Sequence, residues 1–267
     1  MIEVFDEVAN DEDAVDELKI WLLKMKQTTH WKTTKATSAA VYALLKRGAN
    51  WLLEDRPVQI TLGNEKIDQS AMGAEAGTGY FKTSYDKEAI QTDMAKVIVK
   101  NSNSTIAWGA MYWQYFEQLD KITTFEETPL KLNKKLFKKQ NSDRGPVMTE
   151  LKEGAQLQPG DKVQVRIELR VDRPMEYVHL KDMRASGFEP INVLSQYKWQ
   201  GGLGYYESTK DASTNFFISY LPKGTFVFEY PLVVNHKGDF SNGVTTIQCM
   251  YAPEFTSHSE GIRVKVQ

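Results

Sequence analysis

Two groups centred on histidine contain the residue types that could support catalysis. His179 is followed by Asp182, and His236 is followed by Asp239 and Ser241. A histidine with a carboxylate and a hydroxyl is the residue set of a nucleophile activated by a base. Residues three apart in a strand point to opposite faces of the sheet, so His179 and Asp182 converge only if a strand ends between them. The spacing therefore favours hydrogen-bonded structural histidines over a catalytic site.

The sequence lacks the common signatures of cofactor-dependent enzymes and hydrolases. It contains no phosphate-binding loop, no G-x-S-x-G elbow and no H-E-x-x-H helix. Residues 201–204 are rich in glycine, but they neither follow a clear strand nor open a helix, which favours a mobile or tightly turned loop. Four histidines and one cysteine are too few and too scattered for a zinc site, and Cys249 is predicted to be a buried, inert thiol. We therefore predict no cofactor, no metal and no enzymatic activity.

Aromatic residues between positions 197 and 206 form a candidate contact surface. Residues 196–200 are predicted to be a loop, and Tyr205 and Tyr206 follow it. Tyrosine and tryptophan provide a large contact area at a low entropic cost, so Trp199, Tyr205 and Tyr206 are the possible contact residues. The alternative is that a long loop packs its aromatic side chains onto the edge of a sandwich, which the general excess of buried over functional aromatic residues favours.

Helical periodicity is confined to the N-terminal part of the chain. Apolar residues recur at three- and four-residue spacing over residues 15–25, behind a cap at Asn10 or Asp11. Thr33 or Thr34 can cap a second helix that ends at Gly48. We predict an antiparallel helical hairpin over residues 1–55. Its alanines permit close approach of another helix. This predicts packing against more helices than this sequence contains, as expected of a fragment.

The spacing of apolar residues changes to two after Pro57, which predicts a smaller β region over residues 56–127. Residues 58–62 alternate, and Gly63 with Asn64 offers a tight turn. Residues 95–100 form a further candidate strand, joined by a hairpin connection at 101–104 to residues 106–116. The last segment is also long enough for a buried helix, and periodicity does not separate the two options.

The clearest strand of the sequence lies at residues 163–171, where five apolar positions alternate with polar ones. Leucines at two-residue steps begin this region near Leu130. Further strands are predicted at 177–180, 215–220, 225–234, 245–251 and 262–266. Seven or so short strands separated by turn residues indicate a β-sandwich over residues 128–267. The fold class is therefore mainly β, with an N-terminal helical hairpin, a smaller β region and a C-terminal β-sandwich domain.

Charge and hydropathy exclude two classes of partner. The 267 residues include 33 Lys plus Arg and 35 Asp plus Glu, for a net charge of -2. No long basic run is present to neutralise phosphates, so nucleic acid is not an expected partner. No apolar run approaches the roughly 18 residues of a membrane helix, and acidic residues follow Met1 in place of a basic leader. We expect neither a membrane span nor a signal peptide.

Several short segments occur in an order that is typical of a known family. They are residues 175–185, 204–208, 215–217, 220–224, 240–243 and 250–254. In this order they resemble the last macroglobulin-type β-sandwich of the bacterial alpha-2-macroglobulin family, large exported proteins that trap proteases. Residues 31–37 and 40–45 are similar to the closing hairpin of that family's α/α-toroid, the thioester-type domain. Residues 57–119 would then correspond to the strands that follow the toroid.

The resemblance implies the C-terminal part of a large envelope protease inhibitor, itself a scaffold without catalytic activity. In that family a protease cuts a bait segment, the molecule rearranges, and a Cys-to-Gln thioester can capture the attacker. The Cys-x-Glu-Gln pattern of the thioester is missing here, so no catalytic residue is carried over. The implied partners are proteases, met through the full-length parent, and the rest of the parent chain. The implied location is the periplasm, or the cell surface through a membrane-anchored N-terminal part.

A competing hypothesis is an adhesion or carbohydrate-binding sandwich. Trp199, Tyr205 and Tyr206 would then form its aromatic platform. This hypothesis predicts that a saccharide perturbs tryptophan fluorescence.

Overall fold

The computed structural model describes residues 1–48, 56–76, 79–103, 107–152 and 154–267. The chain is mainly β with an N-terminal helical hairpin region. It divides into two compact units, one of residues 1–22 and 32–112 and the other of residues 23–31 and 113–267. The predicted fold class is confirmed.

Capping side chains define where the N-terminal helices begin. A short helix α1 (Ile2–Val4) runs into a π-helical turn (Phe5–Ala9), and α2 (Glu12–Thr28) and α3 (Thr34–Lys46) follow. The Asp11 carboxylate accepts a hydrogen bond from the backbone N–H of Ala14 at 3.0 Å, and the Thr33 hydroxyl accepts one from Ala36 at 3.1 Å. Of the predicted caps, Asp11 and Thr33 are therefore the residues used. Each pairs with an N–H of the first turn that has no partner within the helix. No residue of α3 is buried.

The first unit contains a small antiparallel sheet in the order β2-β1-β3, formed by β1 (Gln59–Leu62), β2 (Glu65–Lys66) and β3 (Val97–Lys100). The predicted turn at Gly63, with a φ of 58°, connects β1 to β2. Short 3-10 helices, Lys87–Ala89 and Thr92–Ala95, precede β3.

The strand predicted at residues 106–116 is wrong over 107–116, and Ser104 to Ile106 lie outside the described residues. The strand β3 pairs with β1 instead of with this segment. The hairpin connection at 101–104 is the basis of the prediction, but a strand also needs side-chain packing on a sheet, and Tyr115 and Phe116 are exposed.

The second unit is a sandwich of two antiparallel sheets with a smaller sheet beside them. One large sheet has the order β10-β11-β12-β8-β15-β16, and the other has the order β5-β4-β7-β13-β9. The small sheet, β14-β17-β6, includes one parallel pair, β17 with β6. A 3-10 helix, Leu119–Lys121, precedes these strands.

The strand bounds of this unit follow in chain order. They are β4 (Leu130–Ser142), β5 (Gly145–Glu150), β6 (Gln156–Leu157), β7 (Lys162–Val171), β8 (Met175–Met183), β9 (Phe188–Pro190), β10 (Gln196–Gln200), β11 (Leu203–Thr209), β12 (Ser213–Leu221), β13 (Gly224–Val234), β14 (Gly238–Ser241), β15 (Thr245–Cys249), β16 (Ala252–His258) and β17 (Arg263–Val266).

The core lies between the two large sheets. The strand β7 is paired with β4 and β13 along its length, and its apolar residues at alternate positions from Val163 to Val171 are all buried. Aromatic rings join the two layers, since Phe216 of β12 lies 5.0 Å from Phe228 of β13 between ring centroids. The alternation at residues 163–171 thus predicted both the strand and its buried face.

Candidate functional site

The predicted aromatic loop is a tight β-hairpin. The strands β10 and β11 pair from Gln196 with Glu207 to Gln200 with Leu203, which leaves Gly201 and Gly202 as a two-residue turn. Their φ angles of 60° and 80° are those of a type I′ turn, which suits the twist of a hairpin. A Cβ at Gly201 would lie 2.2 Å from the Val227 carbonyl oxygen, so glycine is required there. The loop predicted at residues 196–200 is wrong because the two glycines are a hairpin signal.

The three predicted contact residues do not share one face of this hairpin. Trp199 is 77% exposed and Tyr206 is partly exposed, whereas Tyr205 is only 3% exposed. Adjacent residues of a strand point to opposite sides, so Tyr205 faces the core. Its ring packs 5.4 Å from that of Phe228 and its hydroxyl donates to Gln200 Oε1 at 3.2 Å. Burial raises the pKa of Tyr205 to about 12.

Other aromatic residues do share the outer face with Tyr206. Tyr197 pairs with Tyr206 and Tyr206 pairs with Phe217, which in turn pairs with His179 on β8. Tyr197 and Tyr206 meet edge to face at 5.0 Å, and His179 stacks on Phe217 at 4.8 Å. We call these four residues and Trp199 the aromatic strip. That it binds a partner stays a prediction.

A groove is lined in part by Trp199. Its volume is about 300 Å³, and its lining includes Lys198, Gln200, Tyr205 and Glu229. Lys198 is held there by an ion pair with Glu207 at 2.8 Å, a carboxylate that is 3% exposed. The lining of the groove therefore combines aromatic and polar residues.

The histidine groups are used for structure. His179 Nε2 lies 3.0 Å from Asn215 Oδ1 on the outer face, while the Asp182 side chain is fully buried on the inner face. The prediction that they do not converge is confirmed. In the second group, Asp239 is paired with Arg263 at 2.8 Å. Neither group has the geometry of an activated nucleophile.

Asp182 instead organises a polar cluster between the two large sheets. Lys134 of β4 places Nζ 2.5 Å from Asp182 Oδ1, and both side chains are completely buried. Thr245 of β15 donates to Oδ1 at 2.5 Å, and the hydroxyl of Tyr230 on β13 donates to Oδ2. Burial, and next the charge of Asp182, raise the pKa of Tyr230 well above its usual value, so this hydroxyl keeps its proton. The cluster joins strands from both large sheets, and it is not among the sites predicted from the sequence.

The remaining candidates are metal ligands and the single cysteine. Within the described ranges, no set of three or more His, Cys, Asp and Glu residues is placed to hold a metal ion. Cys249 is 1% exposed, and burial raises the pKa of its thiol. The predicted buried thiol is confirmed. Across the described part of the chain, no helix combines the length and apolar character needed to cross a bilayer.

A protein-family comparison identifies the sandwich. Residues 130–254 match the family described as the bacterial Alpha-2-macroglobulin MG10 domain. This region belongs to the bacterial alpha-2-macroglobulin family. The resemblance inferred from the short sequence segments is confirmed for the sandwich, and the match covers both of its large sheets except the last strand positions beyond residue 254.

Solved structures of alpha-2-macroglobulins align with the whole chain at low identity. Trypsin-activated alpha-2-macroglobulin from Escherichia coli aligns with 100% of this chain and 18% of its own length, at 12% identity and a TM-score of 0.48. The same protein activated by porcine elastase gives 14% identity, 100% and 23% coverage and a TM-score of 0.48. Salmonella alpha-2-macroglobulin reacted with methylamine gives 14% identity, 99% and 16% coverage and a TM-score of 0.39.

The chain thus spans less than a quarter of the length of these proteins. None of the three alignments reaches a TM-score of 0.5, so the family assignment rests on the MG10 match. No curated protein sequence matches the chain.

Proposed function

We propose that this chain is the C-terminal part of a large protease-trapping protein of the bacterial cell envelope. The observation that carries the proposal is the match of residues 130–254 to the MG10 domain of bacterial alpha-2-macroglobulins. In this proposal residues 1–55 close an α/α-toroid, residues 56–127 form a linking β domain, and residues 128–267 form the last macroglobulin-like sandwich. The proposed partners are proteases, which bind to the full-length parent.

The role proposed for this part is that of a scaffold without catalytic activity. Two of the side chains considered for nucleophilic chemistry, His179 and Cys249, are engaged in packing. His179 is stacked and hydrogen-bonded, and the Cys249 thiol donates to the Glu176 carbonyl oxygen at 3.4 Å. A thiol with a raised pKa is a poor nucleophile. Bond cleavage is therefore left to the captured protease.

We assign the aromatic strip to contacts with the rest of the parent chain. Large aromatic side chains that are exposed together mark interaction surfaces more often than isolated ones do. Tyr197 and Trp199 are 78% and 77% exposed, and Phe217 is 45% exposed. The matched test replaces Trp199 by alanine in the parent and compares it with Trp21→Ala, a second exposed tryptophan outside the strip.

The test of the proposal as a whole is an immunoblot of fractionated source cells with an antibody against this chain. We expect one envelope band several times larger than 30.5 kDa, the mass of this chain. Brief treatment with trypsin should cut that band at one upstream segment and change its mobility on a native gel. A cytosolic band at 30.5 kDa that trypsin leaves unchanged would rule out the trap.

A second candidate function is saccharide binding, which the groove beside Trp199 favours. Sugars commonly stack on exposed aromatic rings while polar groups bind their hydroxyls. We expect titration with oligosaccharides to change tryptophan fluorescence in the intact chain and in Trp21→Ala, but not in Trp199→Ala. A flat titration of the intact chain would reject this function.

A further inference from the structure

Two charged residues stand at buried positions between the two large sheets. On β4 the burial alternates, and Lys134 takes the inward position between Leu132 and Leu136. On β8 Asp182 takes the inward position that follows Leu180. An ion pair in such a place is weak evidence for stabilisation, because the cost of removing both charges from water can exceed their attraction. The two strands belong to different sheets, so the pair connects the two layers.

We propose that Lys134 and Asp182 condense to an intramolecular isopeptide bond, an amide between the lysine Nζ and the aspartate Cγ that joins the two sheets covalently. The geometry required is contact between the amine and the carboxyl group, and Nζ lies 2.5 Å from Oδ1. The bond would be a modification of the folded protein, formed by its own side chains.

The reaction is a dehydration and is balanced without an oxidant, a reductant or a cofactor. One proton passes from the lysine ammonium group to the aspartate carboxylate, which leaves a neutral amine and a carboxylic acid. The lone pair of Nζ then forms the new bond to Cγ. The bond between Cγ and Oδ2 breaks, a second proton moves from the nitrogen to that oxygen, and one water molecule leaves.

Neighbouring hydroxyl groups are placed to assist both parts of this reaction. Thr245 donates to Oδ1 and can stabilise the negative charge that develops there when the amine attacks. Tyr230 donates to Oδ2, the oxygen that leaves, and its hydrogen bond can stabilise that oxygen as the bond to Cγ breaks. The Met183 carbonyl oxygen accepts a hydrogen bond from Nζ at 3.0 Å and so orients the amine.

Burial favours the amide over the separate pair. Holding two reacting groups in contact replaces a bimolecular encounter, an advantage that corresponds to effective concentrations of about 10⁵ M or more. Exclusion of water also suppresses hydrolysis of the product. A second ion pair made by a lysine of β4 lacks this protection: Lys138 Nζ lies 2.6 Å from Asp161 Oδ2, but the two side chains are 21% and 20% exposed.

The test is the intact mass of the purified full chain, measured after denaturation. We expect a mass lower than that of the sequence by one water molecule. Digestion with trypsin should give a branched peptide in which residues 132–135 are joined to residues 182–184, because an acylated Lys134 is not cut. The variant Lys134→Met should have the full mass of its sequence. The matched variant Lys138→Met should keep the deficit of one water.

Two results would overturn the proposal. The first is that the chain without substitutions has its full sequence mass after folding, which would leave Lys134 and Asp182 as an ion pair. The second is a mass deficit accompanied by separate linear peptides for the two strands, which would place the dehydration elsewhere. Because the chain without substitutions decides between these outcomes, the test does not depend on whether Lys134→Met folds.

Discussion

Replacing the whole polar cluster by apolar side chains tests whether the two sheets are linked. The change is Lys134→Met, Asp182→Leu, Tyr230→Phe and Thr245→Val in one protein, so that the Asp182 carboxylate and its three side-chain partners are removed together. For an ordinary buried ion pair, such a replacement is neutral or stabilises by about 1–4 kcal/mol. For a covalent link the outcome has the opposite sign.

The expected size follows from the separation of the linked residues. Lys134 and Asp182 are 48 residues apart in the sequence. A bond that closes a loop of this length lowers the entropy of the unfolded chain and stabilises the fold by about 4 kcal/mol on the chain-entropy model. We therefore expect the apolar variant to be less stable than the chain without substitutions by about this amount.

The assay must report on the sandwich alone, because a chain of two units need not unfold in one transition. Hydrogen exchange of the β7 amides in increasing urea, followed by mass spectrometry, meets this need. The m-value should also rise in the variant, since an unlinked chain exposes more surface on unfolding. A variant that is as stable as the chain without substitutions, or more stable, would refute the reasoning.

Three further outcomes are expected. Val165→Asp or Ile167→Asp should unfold the sandwich, because a charge at either fully buried position costs several kcal/mol, and circular dichroism of a soluble native variant would show the core assignment to be wrong. The pKa of Tyr205 is raised from 10.0 to about 12, so its stabilising contribution is complete below about pH 10 and is lost as the pH rises to 12. Tyr205→Phe should therefore lose less stability than the unmodified chain over that range, by up to about 1.4 kcal/mol per pH unit, and parallel unfolding curves would contradict this. Amides of α3 should exchange faster than those of β7, because no α3 residue is buried; the reverse order in a hydrogen-exchange experiment would refute the argument.

Local patterns predicted the fold where one face of an element is buried. The β7 strand alternates between buried and partly exposed residues along its length, and its sequence alternates in the same way. The segment 107–116 has the composition of a strand, but composition does not provide a neighbouring edge to pair with. The β10–β11 hairpin has weak alternation, so its decisive signal was the pair Gly201 and Gly202.

The sequence contains a signal for the buried cluster, although the cluster is not among the predicted sites. Lys134 and Asp182 each fall in phase with apolar residues two positions away, which places a charge on an inward face. That the two charges meet could not be predicted, because β4 and β8 lie in different sheets and no hydrogen-bonding register relates them. The aromatic strip depends in the same way on pairing, since Tyr197, Phe217 and His179 come from three separate segments of the chain.

The strand order of the sandwich has a consequence for how fast it folds. The central strand β7 takes its neighbours from β4 and β13, and the central strand β8 takes its neighbours from β12 and β15. Both must therefore wait for partners far along the chain, and the entropy of closing those loops is lost before the contacts form. Domains dominated by such distant pairing fold in roughly milliseconds to seconds, much more slowly than helical bundles. During that interval the apolar faces of β7 and β8 are uncovered, so aggregation competes with folding when the chain is refolded at high concentration.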